Sequence, residues 1–193
     1  MTMQKYCKIL LIILVPIIVY LMSFGVLVYD SNYYTKLTEK YSSIDAASMN
    51  KDMVEYFKTG NVPESFQDFN EKELVHLEDV RLTINRLIIL LMALTVLFIF
   101  LLNFTEHKRD VFFYGGIITV ILPLLSFLPF DMLFTQMHNL FFAKGTWIFN
   151  ADALLVNLYP VNFFFSFAKT IILTGFCLGV VITFLAGISR KNK

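Results

Sequence analysis

Histidine is the side chain that titrates near neutrality, and this chain has three. Two of them stand in strings that could do acid–base work. His76 lies in His76-Leu77-Glu78-Asp79-Val80-Arg81. On a helix, His76, Asp79, Thr83 and Arg86 share one side, and Leu74, Leu77, Val80, Ile84 and Leu87 form an apolar one. Asp79, one turn on, could orient the imidazole and raise its basicity. The plainer account is a surface helix with ordinary i,i+3 polar pairs. His138 lies between Phe134 and Trp147 in a string that is aromatic and nearly uncharged. Desolvation there would lower its pKa and keep it in the neutral form that a general base requires. Gly145, ahead of Thr146 and Trp147, reads as a turn with close backbone approach, with Trp147 and Phe149 at a lipid interface. The plainer account is an aromatic belt with an incidental histidine. His107, beside Lys108 and Arg109, reads as a solvated member of a basic turn.

Other chemistries lack their residues. There is no G-x-S-x-G elbow, no HExxH, no phosphate loop and no glycine fingerprint. His76, Glu78, Asp79 and His138 could in principle bind zinc, but no second clustered ligand pair accompanies them, so no metal or cofactor is expected. Cys7 and Cys177 lie in or beside apolar stretches, which argues against a disulfide framework or a CxxC site. A net charge of +1 points to no nucleic-acid partner.

The elements that must position these residues are read from missing charge. The chain is 57% hydrophobic and 16% charged, against about 25% charged in a soluble domain. Four runs lack acidic and basic residues: 9–29, 87–105, 111–130 and 170–189. Each approaches the ~20 residues a helix needs to cross a bilayer, and helices alone satisfy their backbone groups in lipid as single segments. Lys5 and Lys8 precede the first run, His107, Lys108 and Arg109 fill the turn 106–110, and Arg190, Lys191 and Lys193 follow the last. The positive-inside rule makes that side cytoplasmic, so 30–86 and 131–169 are extracellular. The first run is long for a signal peptide and no small-x-small site follows it, so it reads as an uncleaved span. Pro16 could kink it, while Pro123 and Pro129 should bend or end the third.

The outer segments carry structure of their own. Tyr29, Tyr33, Tyr34 and Tyr41 suit a headgroup belt. Ile44, Met49, Met53 and Phe57 suggest a short amphipathic helix, and Gly60 to Pro63 a turn. Asn70 and Glu73 have capping-box spacing, which predicts one helix from about Glu71 to Phe104. The stretch 154–167 reads as an interfacial or re-entrant piece, and Lys169 as a snorkelling cation. The expected fold is an all-α integral membrane protein: a single membrane domain of four transmembrane helices, N-in and C-in, with a small, mostly helical extracellular cap.

The two histidine strings together resemble the lipoprotein intramolecular transacylases (Lit). His76-Leu77-Glu78-Asp79-Val80-Arg81 before a span is similar to that family's His-Leu-x-Asp-Val-basic motif. Phe134 to Trp147, then Phe149 and Leu158-Tyr159-Pro160, is similar to its second signature. The resemblance implies an acyltransferase of the bacterial cytoplasmic membrane with its site on the extracellular face. It would act on a lipoprotein N-terminus carrying a diacylglyceryl-cysteine and move the sn-2 acyl chain to the free α-amino group, giving a lyso-form lipoprotein. No cofactor is implied, and membrane lipid surrounds an expected monomer. Under this resemblance His138 is the general base, or exchanges that role with His76. His76 polarises the carbonyl or returns a proton, and Asp79 orients it. Arg81 or amides near Gly145 hold the oxyanion or lipid, and Phe141, Phe142 and Trp147 line the acyl and glyceryl portal. A non-enzymatic accessory or sensor protein binding a partner through its outer loops is the competing class. A transporter ranks last, because the spans carry no ionisable residue at midplane. A shared catalytic site requires the His76 and His138 rings to lie within roughly 10 Å.

Overall fold

Long charge-free runs can bury their backbone polarity only in helices, and among the described residues helices make up the whole of the regular structure. The computed structural model describes residues 2–127 and 129–191; Leu128 of the expected third span and Lys193 of the C-terminal basic cluster lie outside them. The helices are α1 (Thr2–Val28), α2 (Ser31–Tyr41), α3 (Ala47–Thr59), α4 (Glu71–Leu102), α5 (Lys108–Ile121), α6 (Phe130–Phe141), α7 (Leu154–Leu158) and α8 (Val161–Lys191). Among the described residues, three stretches are long and apolar enough to cross a membrane: Gln4–Val28, Glu71–Leu102 and Val161–Ile188. On α4, Ile89, Met92, Val96, Ile99 and Phe100 are exposed. A stripe of that size is a liability in water and an ordinary surface in lipid.

The expected third span departs from a single helix. α5 ends at Ile121 and a 3-10 helix, Leu122–Phe127, follows. Pro123 is the reason, because it has no N–H for the carbonyl four residues back and its ring crowds that carbonyl. That carbonyl belongs to Thr119, and it accepts instead from the Tyr20 hydroxyl at 2.9 Å.

The chain divides into two compact units. The first comprises the described residues of 1–24, 88–127 and 170–193. Leu11, Val15, Val19 and Val111 form its core, flanked by Ile12, Phe98, Leu101, Phe112 and Ile182. Glycines let its helices approach closely, as is common in membrane bundles. A methyl at Gly115 would come within 2.6 Å of Val15 Cβ, and Gly179 lies against Thr119. Lys8 Nζ meets Asp110 at 2.6 Å, so the N-terminal basic cluster and the turn 106–110 share one end of this bundle.

The second unit comprises 25–87 and 128–169. Asp30 caps α2 by accepting from the Asn32 and Tyr33 amides. Gly60 ends α3 at φ 79°, a left-handed conformation that glycine adopts at no steric cost. Met53 and Phe57 of α3 are buried as the pattern predicts, but Ile44 is exposed and precedes the helix. Tyr34 is no headgroup anchor: it is buried, edge-on to Phe163 at 5.4 Å and to Phe167 at 5.7 Å. Inside, Asn50 donates to Thr38 Oγ1 at 2.7 Å and accepts from the Tyr159 hydroxyl at 3.0 Å. The expected re-entrant piece is two elements, α7 and the first turns of α8. Pro160 alone breaks the chain, and Asn162 sits in a first helical turn, where its side chain is tolerated.

Candidate active site

α4 and α6 each deliver one histidine, and the start of α4 is fixed by local chemistry. Asn70 Oδ1 accepts from the Glu73 amide at 3.0 Å, and Glu73 Oε2 accepts from the Asn70 amide at 2.9 Å. This reciprocal pair satisfies two donors that a helix N-terminus otherwise leaves open. Glu73 is also 1% exposed, and its second oxygen, Oε1, accepts from the Leu155 amide at 2.8 Å. Beside it, Lys72 Nζ donates to the Ile148 carbonyl and lies 5.2 Å from the Phe149 ring centroid. The first turn of α4 is thus tied at two points to the segment 148–155. His76 follows one turn later.

His138 sits near the end of α6, where its Nδ1 is 2.8 Å from the Phe134 carbonyl. A carbonyl only accepts, so Nδ1 carries the proton and Nε2 of the neutral ring keeps the lone pair. The chain then turns. The Phe142 amide donates to the His138 carbonyl at 2.9 Å, and the Thr146 amide to that of Ala143 at 3.2 Å. Gly145 takes φ +85°, which brings 147–149 back along the histidines.

The two imidazoles converge. Their ring centroids are 6.2 Å apart and their planes 24° from parallel, inside the limit a shared site requires. His76 is 6% exposed and His138 8%. Phe142 packs on both, at 4.9 Å from His76 and 5.4 Å from His138. Phe149 lies 5.4 Å from His76, and Trp147 4.7 Å from His138. Burial in this aromatic box, then the nearby His138 and Lys72, push the His76 pKa down to about 4. Burial also lowers that of His138, partly offset by the bond to Phe134. Two buried polar atoms of the cluster have no partner, His76 Nδ1 and Trp147 Nε1. An orphaned buried N–H is rarer than an orphaned acceptor, so His76 is best satisfied with Nδ1 bare and the proton on Nε2. The pair then holds opposite tautomers, one ring offering a lone pair at Nε2 and the other an N–H.

The description "Lipoprotein intramolecular transacylase Lit" matches residues 5–164. The chain belongs to this family. A structure of the membrane-integral Lit from Bacillus cereus superposes with a TM-score of 0.76 at 17% identity, covering 100% of this chain and 99% of that one. A variant of the same protein with a histidine-to-alanine substitution gives 0.78 at 16% identity, covering 99% and 96%. At these identities the likeness is one of fold. An uncharacterized protein of Aquifex aeolicus (strain VF5) is 24% identical over 145 residues, 72% of this chain, and the chain spans 65% of that relative's length. This Lit chain is accordingly a multi-pass membrane protein.

Of the residues expected at a Lit site, His76, His138, Phe142 and Trp147 come together. Asp79 does not orient His76: no hydrogen bond joins them, and the inner nitrogen of His76 is unpartnered. The buried side of α4 is Glu73, His76, Leu77 and Ile84, and Asp79 falls past its edge. Arg81 is committed elsewhere. Its Nε and Nη2 donate to the two oxygens of Glu78 at 2.7 and 2.6 Å, and the Tyr56 hydroxyl joins Glu78 at 2.7 Å. Arg81 and Tyr56 together hold the Glu78 carboxyl down at about 2. Phe141 is exposed and makes no ring contact with the histidines. Gly145 has the expected turn but no close approach, since a methyl there would meet nothing within 4 Å. Among the described residues no group of three His, Cys, Asp or Glu could hold a metal ion. Phe149, read from sequence as an interfacial residue, packs on His76. Phe134, Lys72 and the second bond of Glu73 were not expected at the site. Only Glu73 had a sequence signal, its capping-box spacing.

Proposed function

We propose that this protein transfers the sn-2 acyl chain of a diacylglyceryl-cysteine lipoprotein to the free α-amino group of the same molecule. The observation that carries this reading is the convergence of two buried imidazoles, their ring centroids 6.2 Å apart. Donor and acceptor sit on one substrate, so orientation supplies much of the acceleration, and the residual needs are a base and a donor. The amine nitrogen attacks the ester carbonyl carbon. A C–N bond forms and the carbonyl π pair moves onto oxygen. His138 Nε2 takes a proton from the nitrogen. As the C=O bond re-forms, the C–O bond to glycerol breaks, and the glycerol oxygen receives the proton that His138 carries. Ester and amine become alcohol and amide, with nothing else consumed. His76 serves as the second essential group, its Nε2–H polarising the carbonyl oxygen as a neutral donor, since a ring with a pKa of about 4 is unprotonated at neutral pH.

The same reading puts the reaction at the outer face of a bacterial cytoplasmic membrane, with four crossings and both ends inside. From Val111, α5 and the 3-10 helix after it have a combined rise of about 29 Å, close to the ~30 Å of a hydrocarbon core. The shared end of Lys8 and Asp110 agrees with the basic clusters lying on one side. The test is expression in a bacterium that makes diacylglyceryl lipoproteins but lacks N-acylation, with lipoprotein N-termini read by mass spectrometry. A mass-neutral shift of one acyl chain to the amine, absent in inserted His138→Ala protein, is expected. Unchanged lipopeptides at normal expression would favour the accessory or sensor class.

A further inference from the structure

When the amine adds to the ester, the carbonyl oxygen takes up a full charge, and such sites stabilise it with preorganised N–H groups. His76 Nε2–H supplies one. The second is not Arg81, whose guanidinium is engaged by both oxygens of Glu78. The indole N–H of Trp147 is sealed from solvent and donates to nothing. A buried donor in that state costs free energy comparable to a lost hydrogen bond, which is unusual in a native protein. Its ring rests against that of His138 at 4.7 Å, within the same cluster as His76.

The position is held from both sides. The Thr146 amide and hydroxyl both donate to the Ala143 carbonyl, at 3.2 Å and 2.9 Å. On the other side Lys72 holds the Ile148 carbonyl. An indole N–H is a donor only. It neither takes protons from the amine nor binds a cation, and what it can satisfy is an acceptor oxygen.

We propose that Trp147 Nε1–H donates to the carbonyl oxygen of the bound ester and, with His76, holds the oxyanion of the tetrahedral intermediate. This rests on the transacylase reading above. The indole keeps its proton throughout. The C–N bond forms as the π pair moves to the oxygen it faces, and its hydrogen bond weakens as that pair returns and the C–O bond to glycerol breaks. The glycerol oxygen takes its proton from His138.

The chain has one tryptophan, so global replacement of tryptophan by benzothienylalanine, which substitutes sulfur for the N–H, changes this ring alone. The full-length protein in nanodiscs is given a synthetic diacylglyceryl-cysteine lipopeptide, and kcat and KM are measured for the native, isostere and Trp147→Phe proteins. Losing one oxyanion donor should lower kcat on the order of 10²–10³-fold in the isostere, with KM and unfolding temperature little changed. An isostere as fast as a native protein that does convert the peptide overturns the donor role and leaves the transacylase reading standing. So does a loss seen only as a raised KM, since that marks ground-state binding. A native protein that converts nothing removes both.

Discussion

Glu73→Gln separates a carboxylate that organises the site from one that merely ends a helix. Both oxygens of Glu73 accept part-buried amide bonds, from Asn70 at 2.9 Å and Leu155 at 2.8 Å. The Glu73 side chain is 1% exposed, so water does not reach its oxygens in place of these donors. Glutamine keeps the shape but has one oxygen. It can serve one amide, and its NH2 then faces the other, donor against donor. Hydrogen bonds to a charged group contribute about 1.5–3 kcal/mol, so one should be lost at that cost. Hydrogen exchange reads it directly: protection at Asn70 or Leu155 should fall about 10- to 150-fold, the Boltzmann factor of that range. Acyl transfer should slow as well, because the segment that carries Trp147 and Phe149 is tethered there. Unchanged exchange at both amides, or a glutamine protein more stable than the native one, would refute the reasoning. The second result would mean that desolvating the charge outweighs its bonds.

His76 makes the folded state acid-sensitive. An unfolded histidine binds a proton below about 6.5, while His76 binds one only near pH 4. The unfolded chain therefore holds more protons between these values, and stability falls as pH drops through that window, by about 1.4 kcal/mol per pH unit. Detergent unfolding of native and His76→Phe proteins should show the slope flattened in the variant. Tyr20→Phe should lower stability by about 1–3 kcal/mol, measured by thermal unfolding, because it orphans the Thr119 carbonyl that Pro123 leaves without an amide. Arg81→Ala should cost at most ~1 kcal/mol, as its pair with Glu78 is part-exposed, and should leave acyl transfer within a few-fold of native. A collapse of kcat in that protein would return Arg81 to the chemistry.

What was legible in the residues was local. The Asn70–Glu73 spacing announced both the cap and the 32-residue helix that follows. Gly60 announced a break, which comes as the left-handed end of α3, and the two histidine strings marked two rings that converge. What was not legible depends on partners far along the chain. Glu73 looks like a solvent residue, and spacing alone puts His76, Asp79, Thr83 and Arg86 on one polar side of α4. Its burial rests on the Leu155 amide, 82 residues away, which no periodicity contains. With it and the Lys72 bond to Ile148, the side of α4 that faces inward carries Glu73 and His76, and His76 meets Phe142 and Phe149. Tyr34 is buried for a reason of the same kind, its neighbours Phe163 and Phe167 arriving from α8. Pro123 did announce a disturbance in the third apolar run, but not that the run would finish as a 3-10 helix.

In the proposed reaction His76 and His138 act as one unit. Acyl transfer on a diacylglyceryl-cysteine lipopeptide, measured for His76→Ala, His138→Ala and the double variant, tests it most directly. Groups that work together are strongly non-additive. Each single change is expected to lose at least about 10²-fold, and the double variant should be no slower than the worse single. Losses that multiply, or a single variant that keeps its rate, would contradict the account.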